Sequence, residues 1–183
     1  MDLLFTKEIT DVLLGIARDA IGAQLNNKPI HLIENSDPEL EQVLGVFVTL
    51  SLDGKLRGCI GNIIGQYPLY LGVQNMAIQA AFHDPRFPSL TPEEFDALHI
   101  EISILSPLTP IHPQQVKVGT HGLLLRYHGL SGVLLPQVPT EQGWDKKEYL
   151  EGLAHKAGVS IDALNHKDAQ LYGFTATILK EAS

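Results

Sequence analysis

The chain is poor in cysteine, with only Cys59 among 183 residues. A single cysteine excludes an internal disulfide, and it cannot by itself build a multi-thiolate zinc or iron–sulfur centre. Any thiol chemistry of this chain therefore depends on Cys59. An iron–sulfur cofactor, which needs several thiolates, would have to belong to another protein, and the sequence identifies no cofactor of its own.

Basic residues and long apolar runs are also scarce. The formal net charge is -8, from 13 Lys and Arg against 21 Asp and Glu. This balance argues against binding to bulk nucleic acid, which needs clustered Lys and Arg. The N-terminal segment is charged and lacks the uninterrupted apolar stretch of a signal peptide or a membrane span. We therefore expect a cytoplasmic protein that does not enter a membrane.

Several motifs that carry known chemistry are absent. None of the eight histidines forms a His-x-x-x-His pair, so the spacing indicates no metal site. The phosphate-loop pattern, the Gly-x-Gly-x-x-Gly fingerprint and the Gly-x-Ser-x-Gly elbow are missing as well. The sequence thus lacks the usual signatures of nucleotide-binding loops and of serine hydrolases.

The remaining composition favours one globular domain over residues 1–183. The hydrophobic fraction of 44% is enough for a proper core, and no linker or internal repeat interrupts the chain. Helical spacing and capping signals predict helices over residues 7–25, from 68 to 83, from 91 and from 145 to 158. Alternating patterns predict strands over residues 46–51, 55–60, 99–105, 121–127, 133–135 and 171–179, with a short extended piece over 28–33 and a turn over 35–38. This order predicts an α+β fold with a mixed or antiparallel sheet and packed helices.

The most specific segment is Leu-Arg-Gly-Cys-Ile-Gly, residues 56–61. Arg57 lies two residues from Cys59, an electropositive setting that favours a thiolate, and Gly58 and Gly61 allow a ligand or another backbone to approach closely. These residues are candidates for a catalytic or ligand-binding site. In the alternative interpretation, Cys59 is a small buried apolar residue and the glycines serve packing.

The register of the hairpin that contains this segment decides where the thiol points. A two-residue turn at Asp53 and Gly54 would place Arg57 among aliphatic side chains. A three-residue loop instead pairs Thr49 with Arg57 and Phe47 with Cys59, and it separates polar from apolar faces. We therefore predict the three-residue loop, with Leu56 and Ile60 on the core side.

Four more residues are candidates for the site. Glu101 lies on the polar side of a predicted strand, where it could act as a base near Arg57 or Cys59 or could be a solvated or ion-paired strand residue. His121, between two glycines, is suited to proton transfer, although it could equally be polar surface. Asp84 and Arg86 could bind a ligand or could form an ion pair that stabilises their own loop, with Phe87 in the core.

Segments 56–61, 84–87, 100–105, 119–123, 134–138, 144–145 and 156–158 together resemble, in order, the AMMECR-type domain family. The resemblance covers nearly the whole chain, and the length is similar to that of the stand-alone prokaryotic form. It implies an α+β domain with a larger and a smaller subdomain. It also implies companions in the AmmeMemoRadiSam system, namely a Memo-like protein and a radical SAM protein.

Three functional hypotheses follow. The first is an enzyme or small-molecule-binding component of a modification pathway, with a site built around Arg57, Cys59, Glu101 and His121. The second is a non-catalytic module that presents residues 56–61 to a protein partner. The third, nucleotide or RNA-related binding, follows from the kinship that the resemblance implies, and the acidic charge argues against it for bare nucleic acid.

Overall fold

The computed structural model describes residues 3–31 and 37–182. The chain forms two compact units: a larger one of Leu3–Leu105 with the segment from Thr177 onward, and a smaller one of Ser106–Ala176. Each unit is built on a four-stranded antiparallel sheet with helices. The α+β prediction is confirmed.

The larger unit consists of α1 (Lys7–Leu25), β1 (Gly45–Leu52), β2 (Lys55–Asn62), α2 (Leu69–Phe82), α3 (Pro92–Phe95), β3 (Leu98–Leu105) and β8 (Ala176–Lys180). Its sheet has the order β2-β1-β3-β8, so β2 is an edge strand. The helix α1 packs on α2, and α2 packs on β1 and β2.

The predicted starts of α1 and α3 are confirmed by their caps. The Thr6 side chain accepts a hydrogen bond from the Ile9 N–H at the start of α1. Thr91 and Glu94 form the predicted capping box of α3. Such side chains satisfy N–H groups that have no partner inside the helix, and this fixes where a helix begins.

Alternation along the strands separates the two faces of this sheet. One face forms the core with both helices and includes Val46, Val48, Leu50, Ile100, Ile102, Ile104 and Leu179. The residues between them, among them Thr49 and Glu101, point to the opposite face because side chains alternate along a strand. The face opposite this core therefore carries Cys59, which is paired with Thr49, and Glu101.

The smaller unit consists of β4 (Thr109–Pro110), β5 (Gly122–Tyr127), β6 (Leu130–Leu134), α4 (Gln137–Gln142), α5 (Lys146–Ala157) and β7 (Gln170–Phe174), with two 3₁₀ turns, Pro113–Gln115 and Ile161–Asn165. The strand order is β4-β7-β5-β6, and α5 packs on β5 and β6. Asp145 caps α5, and Gly158 ends it with a φ of 75°, as predicted.

Two predicted strand patterns, one helix and one extended piece differ from the structure. The second hairpin turns through two residues, His128 and Gly129, instead of a five-residue loop. The predicted strand 171–179 is two strands, because the Thr175 backbone between them bonds to Ser106 through both its N–H and its C=O. The helix α4 was not predicted. The extended piece predicted over residues 28–33 is not a strand at residues 28–31. Its remainder and the first part of the turn predicted over residues 35–38 fall within residues 32–36, which lie outside the described residues.

Candidate functional site

The register predicted for the first hairpin is wrong. Leu52 pairs with Lys55 across a two-residue turn in which Asp53 and Gly54 have φ values of 49° and 73°, the signs of a type I′ turn. The register then shifts: Ser51 pairs with Leu56, whereas Leu50 pairs with Gly58. Arg57 is therefore the extra residue of a β-bulge, and Thr49 is opposite Cys59.

The bulge directs Arg57 into the protein, away from the polar face on which it was predicted. Its side chain is only 10% exposed. Nε and Nη2 donate to the two carboxylate oxygens of Glu94, at 2.8 Å and 3.0 Å, and Nη2 also donates to the Ser89 carbonyl. The bond from Arg57 lowers the pKa of Glu94 despite its partial burial. Leu56, predicted in the core, is instead 46% exposed.

Cys59 is fixed through its backbone by the loop that follows α2. Its N–H donates to Asp84 Oδ2 at 2.9 Å, and its carbonyl accepts from Arg86 Nη2 at 3.2 Å. Because β2 is an edge strand, no other strand among the described residues pairs with these groups on that side, and the loop supplies their partners. The two sequence segments that contain Cys59 and Asp84 thus form one structural unit.

Asp84 and Arg86 form the ion pair that one interpretation of the sequence predicted. Arg86 Nε and Nη2 donate to Asp84 Oδ1 and Oδ2, at 3.0 Å and 2.8 Å. These bonds, together with the N–H groups of Cys59 and Arg86, outweigh burial and hold the pKa of Asp84 far below its usual range. The Asp84 side chain is buried, whereas that of Arg86 is 55% exposed. The guanidinium can therefore still contact a ligand.

The Cys59 thiol belongs to a polar row on the face of the sheet opposite the core. The residue is half-buried, and Sγ lies 3.2 Å from Thr49 Oγ1. Thr49 is opposite Glu101 on the next strand, and Glu101 Oε2 bonds to Lys180 Nζ at 2.9 Å. Cys59 and Glu101 are two strands apart, about 10 Å at the usual strand spacing. The structure therefore puts them on one face without direct contact.

Gly58 and Gly61 occupy positions where backbone and ring atoms leave no room for a side chain. A Cβ on Gly58 would lie 2.2 Å from the Ala80 carbonyl oxygen of α2. A Cβ on Gly61 would lie 2.3 Å from the Phe47 ring. Close packing thus accounts for both glycines, as the alternative interpretation of the sequence held.

His121 lies in the smaller unit, just before β5. Its Nδ1 accepts from the Lys117 N–H at 3.1 Å, and its carbonyl accepts from the buried Tyr149 hydroxyl at 2.8 Å. Burial, and then the charge of Lys117, lower the pKa of His121, so the ring is neutral at pH 7. The ring borders a cavity of about 300 Å³ lined also by Ser106, Thr109, Gln115 and Thr175.

The smaller unit also gathers three side chains that sequence spacing did not indicate. His128, His166 and Asp168 each offer one potential ligand atom, and these atoms lie within 4.8 Å of one another. His128 is far from the other two in sequence, so no short motif joins them. Only the pairing of β5 with β7 brings them together, and a correct strand pairing would have been needed to find them.

Comparison with known proteins identifies the family. The AMMECR1 family model matches residues 14–179, and the chain belongs to this family. A protein of Thermococcus gammatolerans is 42% identical, over 93% of this chain and 89% of its own length. Protein NEQ441 of Nanoarchaeum equitans is 36% identical, over 92% of this chain and 98% of its own length.

A solved structure has the same fold. The crystal structure of the uncharacterized protein PH0010 from Pyrococcus horikoshii is 40% identical in sequence and superposes with a TM-score of 0.84. The match covers 95% of this chain and 92% of that one. Within the described residues, no helix has both the length and the apolar character needed to cross a bilayer.

Proposed function

We propose that this protein is a small-molecule-binding component of a cytoplasmic modification pathway, and that its ligand is held at the thiol of Cys59. One observation carries the proposal. The only cysteine is partly accessible, and its backbone N–H and C=O are held by Asp84 and Arg86 respectively. A thiol on a rigid strand with a cation nearby is the arrangement from which cysteines bind or attack ligands.

The surrounding groups indicate the class of ligand. The exposed part of Arg86 provides positive charge near Cys59, which favours a carboxylate, phosphate or other anion. The Thr49 hydroxyl, within hydrogen-bonding distance of Sγ, can orient the thiol or exchange a proton with it. Glu101 and Lys180 follow along the same face and can contact a ligand about 10 Å long or more. We therefore propose a small anionic metabolite with a second polar end.

The roles of the other candidate residues follow from their contacts. Arg57 positions the motif through Glu94 and does not contact the ligand directly. Gly58 and Gly61 keep the strand close to its neighbours. In this proposal His121 takes no part in binding at Cys59. A ligand that contacts His121 occupies the cavity of the smaller unit that this residue lines. Arg86 and Cys59 are thus the residues whose replacement should affect binding most directly.

A thermal-shift screen with small carboxylates and phosphates tests the proposal. We expect a hit to raise the melting temperature of the parent chain, because a ligand that binds only the folded state stabilises it. The shift should shrink in Cys59→Ser and in Arg86→Lys, and it should persist in the matched control Lys147→Gln, a change at an exposed position of α5. A compound that shifts the melting temperature equally in the parent and in all three variants would contradict a ligand site at Cys59.

A second candidate function is supported by Leu56. This first residue of the motif is 46% exposed, although its neighbour Arg57 is buried. An exposed leucine on an edge strand can contact a protein partner, and the companions that the sequence resemblance implies are a Memo-like protein and a radical SAM protein. In this alternative the chain is a non-catalytic module of that assembly.

Binding of purified Memo-like and radical SAM proteins to immobilised chain tests this alternative. We expect Leu56→Lys to weaken binding while the melting temperature stays unchanged. Leu130→Lys is the matched control, because Leu130 is 49% exposed in the smaller unit. Equal binding by the parent and both variants would exclude an interface centred on residues 56–61.

A further inference from the structure

The second cluster of chemically active side chains lies at one end of the sheet in the smaller unit. It consists of His128, His166 and Asp168, all three exposed. His128 Nε2 lies 2.9 Å from Asp168 Oδ2, and His166 Nδ1 lies 3.7 Å from the same oxygen. Two imidazoles and one carboxylate thus converge on a single point that solvent can reach.

The fold explains why these distant residues meet. Arg126 near the end of β5 pairs with Gln170 at the start of β7. Because the pair is antiparallel, the residues just beyond these strand ends, His128 and Asp168, are neighbours. His166 joins them at the end of a 3₁₀ turn, and the Ala169 N–H donates to the His166 carbonyl.

The backbone at His128 has a conformation that few residues other than glycine adopt. His128 and Gly129 form the two-residue turn between β5 and β6, and His128 has a φ of 47°. Turns of this kind favour Asn, Asp or Gly, because a side chain at positive φ is strained. Despite this strain, a histidine occupies the turn position from which its ring reaches Asp168. Strained residues of this sort often have a functional role.

The ring of His128 is held in place before any ligand arrives. It stacks on Tyr127 with centroids 4.0 Å apart, and His166 meets both rings edge-on. Asp168 Oδ2 faces both imidazoles, at 2.9 Å from His128 Nε2 and 3.7 Å from His166 Nδ1, and it is the acidic member of the cluster. The carboxylate thus supplies a negative charge to which a cation can bind.

We propose that His128, His166 and Asp168 bind a divalent transition-metal ion, with Zn²⁺ as the representative. Nitrogen and oxygen ligands of this kind suit zinc, and two histidines with one carboxylate also suit Co²⁺, Ni²⁺ and Fe²⁺. In a tetrahedral zinc site with bonds of about 2.0–2.1 Å, neighbouring ligand atoms are about 3.3 Å apart. The observed separations of 2.9 Å and 3.7 Å lie on either side of this value.

Binding of the ion has a defined local consequence. The metal displaces the proton between His128 Nε2 and Asp168 Oδ2, which moves to His128 Nδ1 or to solvent. At His166 it takes the Nδ1 lone pair that accepts the Asp168 N–H at 3.2 Å, and that N–H then bonds to water. Three protein ligands leave at least one position for water or another small ligand. A cavity of about 310 Å³, lined also by Ser131 and Gln170, adjoins His128 and Asp168 and gives such a ligand space.

Titration of the purified chain with Co²⁺, followed by visible absorption, tests the proposal. We expect one equivalent to bind and to give the d–d bands of a four- or five-coordinate ion. His128→Asn keeps a residue that the turn accepts, and Asp168→Asn keeps the shape of the carboxylate; each should weaken binding about tenfold or more. His155→Ala, which removes an exposed histidine of α5, and Cys59→Ser should bind like the parent.

A second measurement checks that weaker metal binding by a variant is not caused by its unfolding. His128→Asn and Asp168→Asn are first melted without metal, and the expected melting temperature is close to that of the parent because both positions are exposed. Zn²⁺ is then added to the parent, and the ring ¹⁵N shifts of His128 and His166 should change while that of His155 does not. Failure to bind stoichiometric Co²⁺, or equal binding by the parent, His128→Asn and Asp168→Asn, would overturn the proposal.

Discussion

The backbone N–H of Cys59 donates to the carboxylate of Asp84 at 2.9 Å, across 25 residues of sequence. The same carboxylate pairs with Arg86, which in turn donates to the Cys59 carbonyl. The loop after α2 therefore closes the edge of β2 at the residue that carries the thiol. Four of the candidates from the sequence, Arg57, Cys59, Asp84 and Arg86, lie in or beside this arrangement, which is held together by charge.

Acid should weaken this arrangement. Because the pKa of Asp84 is lowered in the folded state, its contribution to stability is complete above the unfolded value of about 3.9 and is lost as the pH falls below it. Each such carboxylate removes up to about 1.4 kcal/mol of unfolding free energy per pH unit in that range. We expect the unfolding free energy, measured in urea, to fall steeply between pH 4 and pH 2.

Asp84→Asn tests this assignment. The amide keeps the shape and the bond to the Cys59 N–H but loses the charge that pairs with Arg86. We expect a loss of about 2 kcal/mol at pH 7, a difference that shrinks as the pH approaches 2. A variant that loses the same free energy at every pH would show that the charge of Asp84 is not what holds the loop.

Arg57 should matter for stability because it is buried and bidentate. Arg57→Ala leaves the Glu94 carboxylate without its main partner, and we expect a loss of about 3 kcal/mol in urea unfolding. In the double variant Arg57→Met, Glu94→Gln, no charge remains at the pair, and part of the loss should be recovered. Equal stability of Arg57→Ala and the parent would show that the pair has no structural role.

The hairpin shows what the sequence could and could not predict. Local signals gave correct helix ends, because Thr6 or Asp145 needs only residues a few positions away to act as a cap. The predicted register is wrong because, on local grounds alone, burial of Arg57 among aliphatic side chains is unfavourable. Its partner Glu94 lies 37 residues further along the sequence, and no local sequence pattern predicts that the two residues pair.

The site shows the same limit. Cys59 and Asp84 could each be identified as candidates from the residues around them, whereas the bond between them depends on how α2 returns the chain to β2. The cluster of His128, His166 and Asp168 was missed for a similar reason, since it needs the pairing of β5 with β7. Residue types and spacing indicate local chemistry, and long-range pairing decides which groups meet.

Gly58 offers a test of the packing around the motif. Gly58→Ala would bring a Cβ against the Ala80 carbonyl of α2, so we expect a loss of about 2–3 kcal/mol. Gly15→Ala is the matched control, because a Cβ there meets nothing within 4 Å and alanine favours the helix. That control should gain about 0.5–1 kcal/mol. Thermal or urea unfolding measures both, and similar values for the two variants would contradict the tight contact between β2 and α2.

The most direct test of the central claim is the alkylation of Cys59 by a charged and a neutral reagent. The chain has one cysteine, so all thiol modification reports on it. Relative to the chain unfolded in urea, the folded protein should favour iodoacetate over iodoacetamide by about threefold, the scale of one nearby exposed charge. Arg86→Gln should remove this preference. Folded Cys59 that reacts with neither reagent until the protein unfolds would contradict the account and would show a cysteine that serves packing alone.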